Sequence, residues 1–284
     1  MLYRQYWVSM QGRGGYYFTA SAVANDNERG MHMHPQNTID NLRGLRLHAM
    51  AQAYQQQLQD TRIHELPFAE RFDLLVLQEQ TARHNRQIGR LLKEARLKVA
   101  ASPEDIDYES QRGIDRTLVR QLLTGQWISA QHNLLITGPT GIGKTYLVCA
   151  LATAACRQGF RVRYYRLSRL FQDIVMAKGD GSYGKLSANL TKVDLLILDD
   201  WGLAPLAAAE SRELLDILDD RVSLHATCLA SQLPVEMWHQ HFTDPTLADA
   251  ILDRLVHRAY RIPLKGESMR KRLSPLPTSE NSDK

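Results

Sequence analysis

The residue types best suited to chemistry fall in one short segment, Gly138–Thr145, with the sequence GPTGIGKT. Its glycines allow the backbone to curl so that successive N–H groups point inward, an arrangement that binds anions. Lys144 adds a positive charge, Thr145 adds a hydroxyl for a divalent cation, and a helix starting near Lys144 would direct its positive end at the same anion. The pattern predicts a loop that binds nucleotide phosphates. The predicted nucleotide contacts are Gly138, Pro139, Thr140, Gly141, Ile142, Gly143, Lys144, Thr145 and Tyr146.

Two adjacent carboxylates, Asp199 and Asp200, follow the apolar run Leu195–Leu198 about 55 residues after this loop. Four apolar residues predict a buried central strand, and its C-terminal end is the edge at which α/β sheets bind ligands. Asp199 is therefore expected to hold Mg²⁺, together with Thr145. Asp200 is expected to orient or deprotonate an attacking water molecule.

Hydrolysis of a bound nucleotide also requires positive charge near the γ-phosphate. Arg254 and Arg258 are candidates that could reach the nucleotide of a neighbouring subunit, and Arg270 is another cation near the end of the chain. Surface arginines held in salt bridges are the alternative interpretation. Ser231 and Gln232 follow a predicted strand and could sense the γ-phosphate or position water.

Strands and helices alternate over the second part of the chain, which predicts a parallel sheet covered on both faces. The predicted strands are Asn133–Thr137, Arg161–Tyr165, Asp194–Leu198, Ala226–Ala230 and Ala259–Leu264. The predicted helices are Lys144–Arg157, one that starts at Ser168, Glu210–Leu224 and Thr246–His257.

The region from Thr38 to about Ala100 is predicted to be helical throughout, and its last part has two contrasting faces. Apolar residues recur there at helical spacing: Ile88, Leu91, Leu92, Ala95 and Val99. On the opposite face lies a basic stripe, which consists of Arg83, Arg86, Arg90 and Lys93. We expect no glutamate at four-residue spacing to neutralise it, so the stripe suits a DNA phosphate backbone. A solvated charged face is the alternative.

The chain of 284 residues has room for a large domain and a small one, and its net charge is +4. It contains no run of eighteen apolar residues, which excludes a membrane-spanning helix. We expect a flexible leader over residues 1–30 with Met31 or Met33 as a candidate natural start, a helical domain over 31–102, an ATPase domain over 103–272 and a disordered tail over 273–284.

Cys149, Cys156 and Cys228 form no CxxC pair, which favours core packing in a reducing cytoplasm.

Five segments together resemble the IstB family: GPTGIGKT, LLILDDWG, ASQLP, DRLVHR and GESMRKR. This family comprises the ATPase helpers encoded beside the transposase in two-gene insertion sequences, and it is related to the DnaC helicase loaders. The similarity covers roughly residues 38–272. LDDWG and the terminal GxSxR are more specific to the family than the phosphate loop, which many proteins share.

The resemblance implies an α/β fold of the AAA+ P-loop class, with a five-stranded parallel sheet in the order 5-1-4-3-2 after a small helical domain. It also implies binding of ATP and Mg²⁺, ATP-dependent self-assembly on double-stranded DNA, bending of that DNA, and stimulation of a partner transposase. By position it assigns nucleotide and metal roles to Lys144 and Thr145, the metal carboxylate to Asp199, catalysis to Asp200, the first sensor to Ser231 and Gln232, the trans-acting arginine to Arg254 or Arg258, and a second-sensor-like role to Arg270.

Two residues depart from the broader AAA+ pattern. Most members have Glu at the position of Asp200, and the shorter Asp predicts slow hydrolysis, as in a timing switch. Gln232 lies where Asn is commoner. Three other functions remain open at this point: a helicase loader, a small-molecule P-loop kinase, and a DNA-binding protein that uses ATP only as a structural clamp.

Overall fold

The computed structural model describes residues 34–108 and 113–269. Within these ranges the chain divides into two compact units, and the division falls after Arg83. The predicted leader over residues 1–30, the predicted tail over 273–284 and Arg270 lie outside the described residues. No described helix is long and apolar enough to cross a membrane.

The first unit is helical, although its helices are shorter than the sequence pattern predicts. It contains α1 (Pro35–Gly44), α2 (His48–Gln59), a 3₁₀ turn (Thr61–Glu65) and the start of α3 (Phe68–Ala95). The buried carboxylate of Glu79 accepts hydrogen bonds from the backbone N–H groups of Ala49 and Met50, at 2.9 and 3.1 Å. A negative charge thus stabilises the start of α2 and ties it to α3.

The second unit is built on five parallel strands, in the spatial order β2-β3-β4-β1-β5. This is the predicted order 5-1-4-3-2 in reverse direction, so the predicted fold is confirmed. The strands are β1 (Asn133–Thr137), β2 (Val162–Arg166), β3 (Leu195–Trp201), β4 (Ala226–Ser231) and β5 (Ala259–Pro263). The helices of this unit after α3 are α4 (Arg116–Leu123), α5 (Gln126–Ser129), α6 (Lys144–Arg157), α7 (Leu167–Gly179), α8 (Tyr183–Lys192), α9 (Ala208–Asp219) and α10 (Pro245–Val256), with 3₁₀ turns at Pro103–Asp105 and Val235–His241.

Each face of the sheet buries its own apolar core. Alternate residues of β1 show this directly, because Leu134 and Ile136 belong to what we call the first core and Leu135 belongs to the second core. All three cysteines are buried and unpaired, and each packs in the first core. Helices on both faces explain why β1 and β3 are apolar along most of their length.

The end of α3 belongs to the second unit. Leu91 and Ala95 are buried in the first core, with Leu92 and Val99 packed against it. Four of the five residues of the predicted apolar stripe thus pack in or against this core, whereas Ile88 is not among them and Val99 lies beyond the end of α3. The two compact units divide after Arg83.

Several predicted element ends shift in the structure. The predicted helix Glu210–Leu224 is wrong at its end, since α9 stops at Asp219 and Ser223 has a left-handed φ of 59°. The chain has to turn there to enter β4, which begins at Ala226. The buried guanidinium of Arg221 stabilises the turn by donating to the carbonyls of Leu190 and Val193, at 2.6 and 2.9 Å.

Candidate nucleotide-binding site

The phosphate loop connects the end of β1 to the start of α6. Gly138, Gly141 and Gly143 have φ values of 147°, 82° and 99°, a region in which a side chain is strained. Space is also limiting, because a Cβ on Gly138 would overlap the Leu264 carbonyl oxygen. The glycines therefore serve two needs at once: a left-handed backbone and close approach of the chain that follows β5.

Lys144 lies inside this loop. Its Nζ donates to the carbonyl oxygens of Gly138 and Pro139, at 2.6 and 3.0 Å, and the side chain is buried. Burial lowers the pKa of Lys144, while the charges of Asp199 and Asp200 oppose that shift. A cation held within the curled loop is well placed to meet a phosphate group.

Asp199 is almost completely buried, at 1% exposure, and receives three donors. The hydroxyls of Thr145 and Tyr164 donate to its Oδ2 at 2.7 and 2.6 Å, and the backbone N–H of Asp200 donates to its Oδ1 at 2.8 Å. Burial and the hydrogen bond to Asp199 raise the pKa of Tyr164, so the phenol stays protonated. Thr145 and Asp199 offer adjacent hard oxygens, the donor set that suits Mg²⁺.

Asp200 reaches the same cavity through a local irregularity of the strand. Successive side chains of a regular strand point to opposite faces, so Asp199 and Asp200 would normally diverge. The pairing of β3 with β4 shifts register between Leu198 and Trp201, and Asp200 has a left-handed φ of 61°. Such a bulge re-aims a side chain, and both carboxylates line the cavity beside the loop.

This cavity has a volume of about 570 Å³, which lies in the range of small-ligand sites. Besides the loop and the two carboxylates, it is lined by residues that sequence reasoning missed: Lys98, Val99, Asp105, Asp107, Ala230 and Met269. The first four come from the segment between α3 and α4, which carries no recognisable motif. Only the packing of that segment beside α6 brings it to the loop.

The two sensor candidates occupy different environments. Ser231 is fully buried, and its Oγ donates to the Trp201 carbonyl at 2.8 Å while accepting from the Leu233 N–H at 3.0 Å. Gln232 lines the cavity, and its Oε1 accepts a hydrogen bond of 2.6 Å from the Thr140 hydroxyl. The structure thus brings Gln232, and not the Ser231 side chain, beside the phosphate loop.

Arg254 and Arg258 lie at the N-terminal end of the sheet strands, whereas the phosphate loop lies at their C-terminal end. The Arg258 carbonyl accepts from the backbone N–H of Asn133, the first residue of β1, whereas the phosphate loop follows the last. Arg254 pairs with Asp219 and donates to the Ala250 carbonyl at 2.6 Å. Neither reaches the phosphate loop of its own chain, so an action on nucleotide would require a neighbouring subunit.

The basic stripe on α3 is exposed, but the expectation that no glutamate neutralises it is wrong. Arg83 pairs with Glu79 at 2.9 Å and Arg90 with Glu94 at 3.9 Å, both at four-residue spacing. The reason is geometric, because residues four apart lie one above the other on a helix. The stripe therefore has less net charge than its four cations suggest.

A sequence profile of the IstB-like ATP binding proteins matches residues 40–276, most of the chain. The chain belongs to this family. It is 47% identical over 238 residues to the insertion-sequence ATP-binding protein y4pL of Sinorhizobium fredii, covering 84% of the chain and 96% of the relative. It is also 46% identical over 203 residues to the ATP-binding protein of insertion sequence IS1162 of Pseudomonas fluorescens, covering 71% and 88%.

Solved structures with the same fold include DnaI, the DnaC helicase loader and DnaA. DnaI matches with a TM-score of 0.52 at 21% identity, covering 62% of this chain and 94% of that one. The DnaC helicase loader matches with a TM-score of 0.51 at 17% identity, covering 58% of this chain and 97% of that one. AMPPCP-bound DnaA from Aquifex aeolicus matches with a TM-score of 0.52 at 20% identity, covering 62% of this chain and 53% of that one. At these identities the likeness establishes the AAA+ fold of this IstB-like chain.

Proposed function

We propose that this IstB-like chain is a slow ATPase that assembles on double-stranded DNA and stimulates the transposase of its insertion sequence. The observation that carries the proposal is the convergence of Lys144, Thr145, Asp199 and Asp200 on one cavity. A loop that only bound phosphate would not need a second carboxylate re-aimed into the cavity by a bulge.

In the proposed reaction each residue has one task. The N–H groups of the loop and Lys144 bind the phosphates, while Thr145 and Asp199 would hold Mg²⁺, which would neutralise phosphate charge. Asp200 accepts a hydrogen bond and then the proton from the attacking water, whose oxygen forms the new bond to the γ-phosphorus as the bond to the β–γ bridging oxygen breaks and ADP leaves. Gln232, beside Thr140, is placed to respond to the γ-phosphate.

The position of the arginines supports self-assembly. Arg254 and Arg258 are remote from the phosphate loop of their own chain and line a second cavity with Arg221 at the N-terminal end of the strands. A second copy could present this end of its sheet to the first copy's nucleotide. In other nucleotide hydrolases, an arginine supplied in this way accelerates hydrolysis by several orders of magnitude. ATP would then promote assembly, and hydrolysis would release it.

DNA contact is assigned to the basic stripe on α3. The side chains of Arg83, Arg86, Arg90 and Lys93 are all exposed, so they are accessible to a DNA backbone. Contacts of this kind bind phosphates without reading sequence. The transposase partner is inferred from the relatives, whose names place them in insertion sequences.

A helicase loader is the second candidate, and the structural similarity to DnaC and DnaI favours it. The decisive experiment measures DNA binding by the purified chain with ATP, with ADP and without nucleotide, across a salt series, with light scattering for assembly. Binding that ATP strengthens and salt weakens steeply supports the transposition helper. A monomer that binds no DNA in any nucleotide state contradicts it, and pull-down by a replicative helicase would then favour the loader.

A further inference from the structure

Tyr164 lies on β2, one strand away from Asp199, and belongs to none of the sequence motifs that predict the site. In the β2–β3 ladder Tyr164 is opposite Ile197, and Arg166 is opposite Asp199. Two residues along a strand span about 6.6 Å, which a tyrosine side chain can bridge. Its hydroxyl accordingly reaches Asp199 Oδ2 at 2.6 Å.

The ring of Tyr164 is fixed by its surroundings. It is 7% exposed and packs in the first core with Ile197, Ile136 and Cys228. A hydroxyl at the end of a packed ring holds its direction without the entropy loss of a mobile donor. Tyr164 therefore restrains the carboxylate more tightly than a flexible surface donor would.

The donors around Asp199 are distributed unequally between its two oxygens. An ionised carboxylate has about four acceptor positions. Thr145 and Tyr164 both donate to Oδ2, and among the described residues only the Asp200 N–H donates to Oδ1. Oδ2 is thus saturated by hydroxyls, while Oδ1 keeps acceptor capacity.

We propose that Tyr164 is a positioning residue that orients the Asp199 carboxylate for Mg²⁺. The inference rests on the proposed nucleotide and metal function of this cavity. Loss of the Tyr164 hydroxyl leaves only Thr145 and the Asp200 N–H as donors to Asp199, so the carboxylate is less restrained about its terminal torsion. Partners that orient a metal ligand in this way typically change metal affinity by about 10- to 100-fold.

The adjacent residue Tyr165 is a matched control. It is buried in the second core, on the opposite face of the sheet, and its hydroxyl accepts from Arg163 at 3.1 Å. Tyr165→Phe thus removes a hydroxyl from the same strand without touching Asp199. Tyr164→Phe keeps the ring and its packing, so the two variants differ chiefly in contact with the carboxylate.

The test is a Mg²⁺ titration of the binding of a fluorescent ATP analogue, with a parallel series in EDTA. We expect Tyr164→Phe to bind the analogue as tightly as wild type in EDTA. The variant should need about tenfold more Mg²⁺ to reach half of the Mg²⁺-induced change in analogue binding. Tyr165→Phe should follow wild type throughout. In an Asp199→Asn background, Tyr164→Phe should add no further shift, because the effect acts through that carboxylate.

A Tyr164→Phe titration that coincides with wild type overturns the inference, and so does a shift that persists in the Asp199→Asn background. A wild-type chain that binds the analogue without any response to Mg²⁺ overturns the metal role itself. A wild-type chain that binds no analogue at all overturns the proposed function, which is a separate and recognisable result.

Discussion

The backbone N–H of Met269 donates a hydrogen bond of 2.9 Å to the carbonyl oxygen of Gly141 in the phosphate loop. The N–H of Leu264 similarly donates to the Thr137 carbonyl at 2.7 Å, just before that loop. The chain after β5 therefore lies along the loop, and Met269 forms part of the cavity wall. The shape of the nucleotide site depends on residues more than 120 positions away in sequence.

Gly141→Ala should destabilise the protein and weaken nucleotide binding. Its φ of 82° strains an alanine, and the new Cβ would overlap the Ser268 hydroxyl. Strain of this kind costs about 1–3 kcal/mol, measurable by urea unfolding. Gly89→Ala is the control, since open space surrounds Gly89 within α3 and alanine there should stabilise by about 1 kcal/mol. Equal effects of the two substitutions would contradict this account of the loop.

Lys144→Ala should weaken ATP binding by about tenfold or more. A hydrogen bond to a charged group contributes about 1.5–3 kcal/mol, and the Lys144 ammonium is the cation that the loop itself holds. DNA binding should then lose its dependence on ATP. Calorimetry of ATP binding and a DNA shift assay check both, and retained ATP stimulation of DNA binding would be inconsistent with the proposed coupling.

Asp200→Asn should retain ATP binding and lose hydrolysis by about 100-fold or more, the usual contribution of a general base. Asparagine tolerates the left-handed φ of 61° at this position, so the bulge should survive. Phosphate release under single-turnover conditions measures the effect. Equal rates in wild type and variant would indicate the alternative in which ATP acts only as a clamp.

Reversal of Arg86 and Arg90 to Glu should weaken DNA binding and flatten its salt dependence, while ATP affinity stays unchanged. The slope of log affinity against log salt falls by about one for each DNA phosphate that the protein no longer neutralises. Reversal of Arg120 and Arg212, two exposed arginines on other helices, changes the net charge equally and serves as the control. If both double variants lose DNA affinity alike, the effect is one of total charge and the stripe has no specific role.

The buried thiols should make stability fall at high pH. Burial raises the pKa of Cys156 from 9.0 to about 12. The folded state therefore binds more protons than the unfolded state above pH 9, and the free energy of unfolding should decrease from there towards pH 12. Urea unfolding at several pH values measures this slope. Cys156→Ala should make the slope shallower, and an identical slope would show that the thiol does not contribute.

The strands and the phosphate loop could be predicted because their signals are local. β1 and α6 match their predicted bounds, since a buried apolar run and a helix that starts after glycines each depend on neighbouring residues. The end of α9 could not be predicted in this way. There the turn at Ser223 and the buried Arg221 depend on α8 and β4, which lie elsewhere in the chain.

The sequence by itself determined the phosphate loop, the carboxylates Asp199 and Asp200 and the family, because these are fixed by residue identity at short spacing. Only the tertiary structure decided that Tyr164 donates a hydrogen bond to Asp199, that Met269 lines the cavity, and that Arg254 is remote from its own loop. Each of these relationships joins residues from different strands or segments. Distances of this kind arise from packing across the sheet, and no local pattern of residue types encodes them.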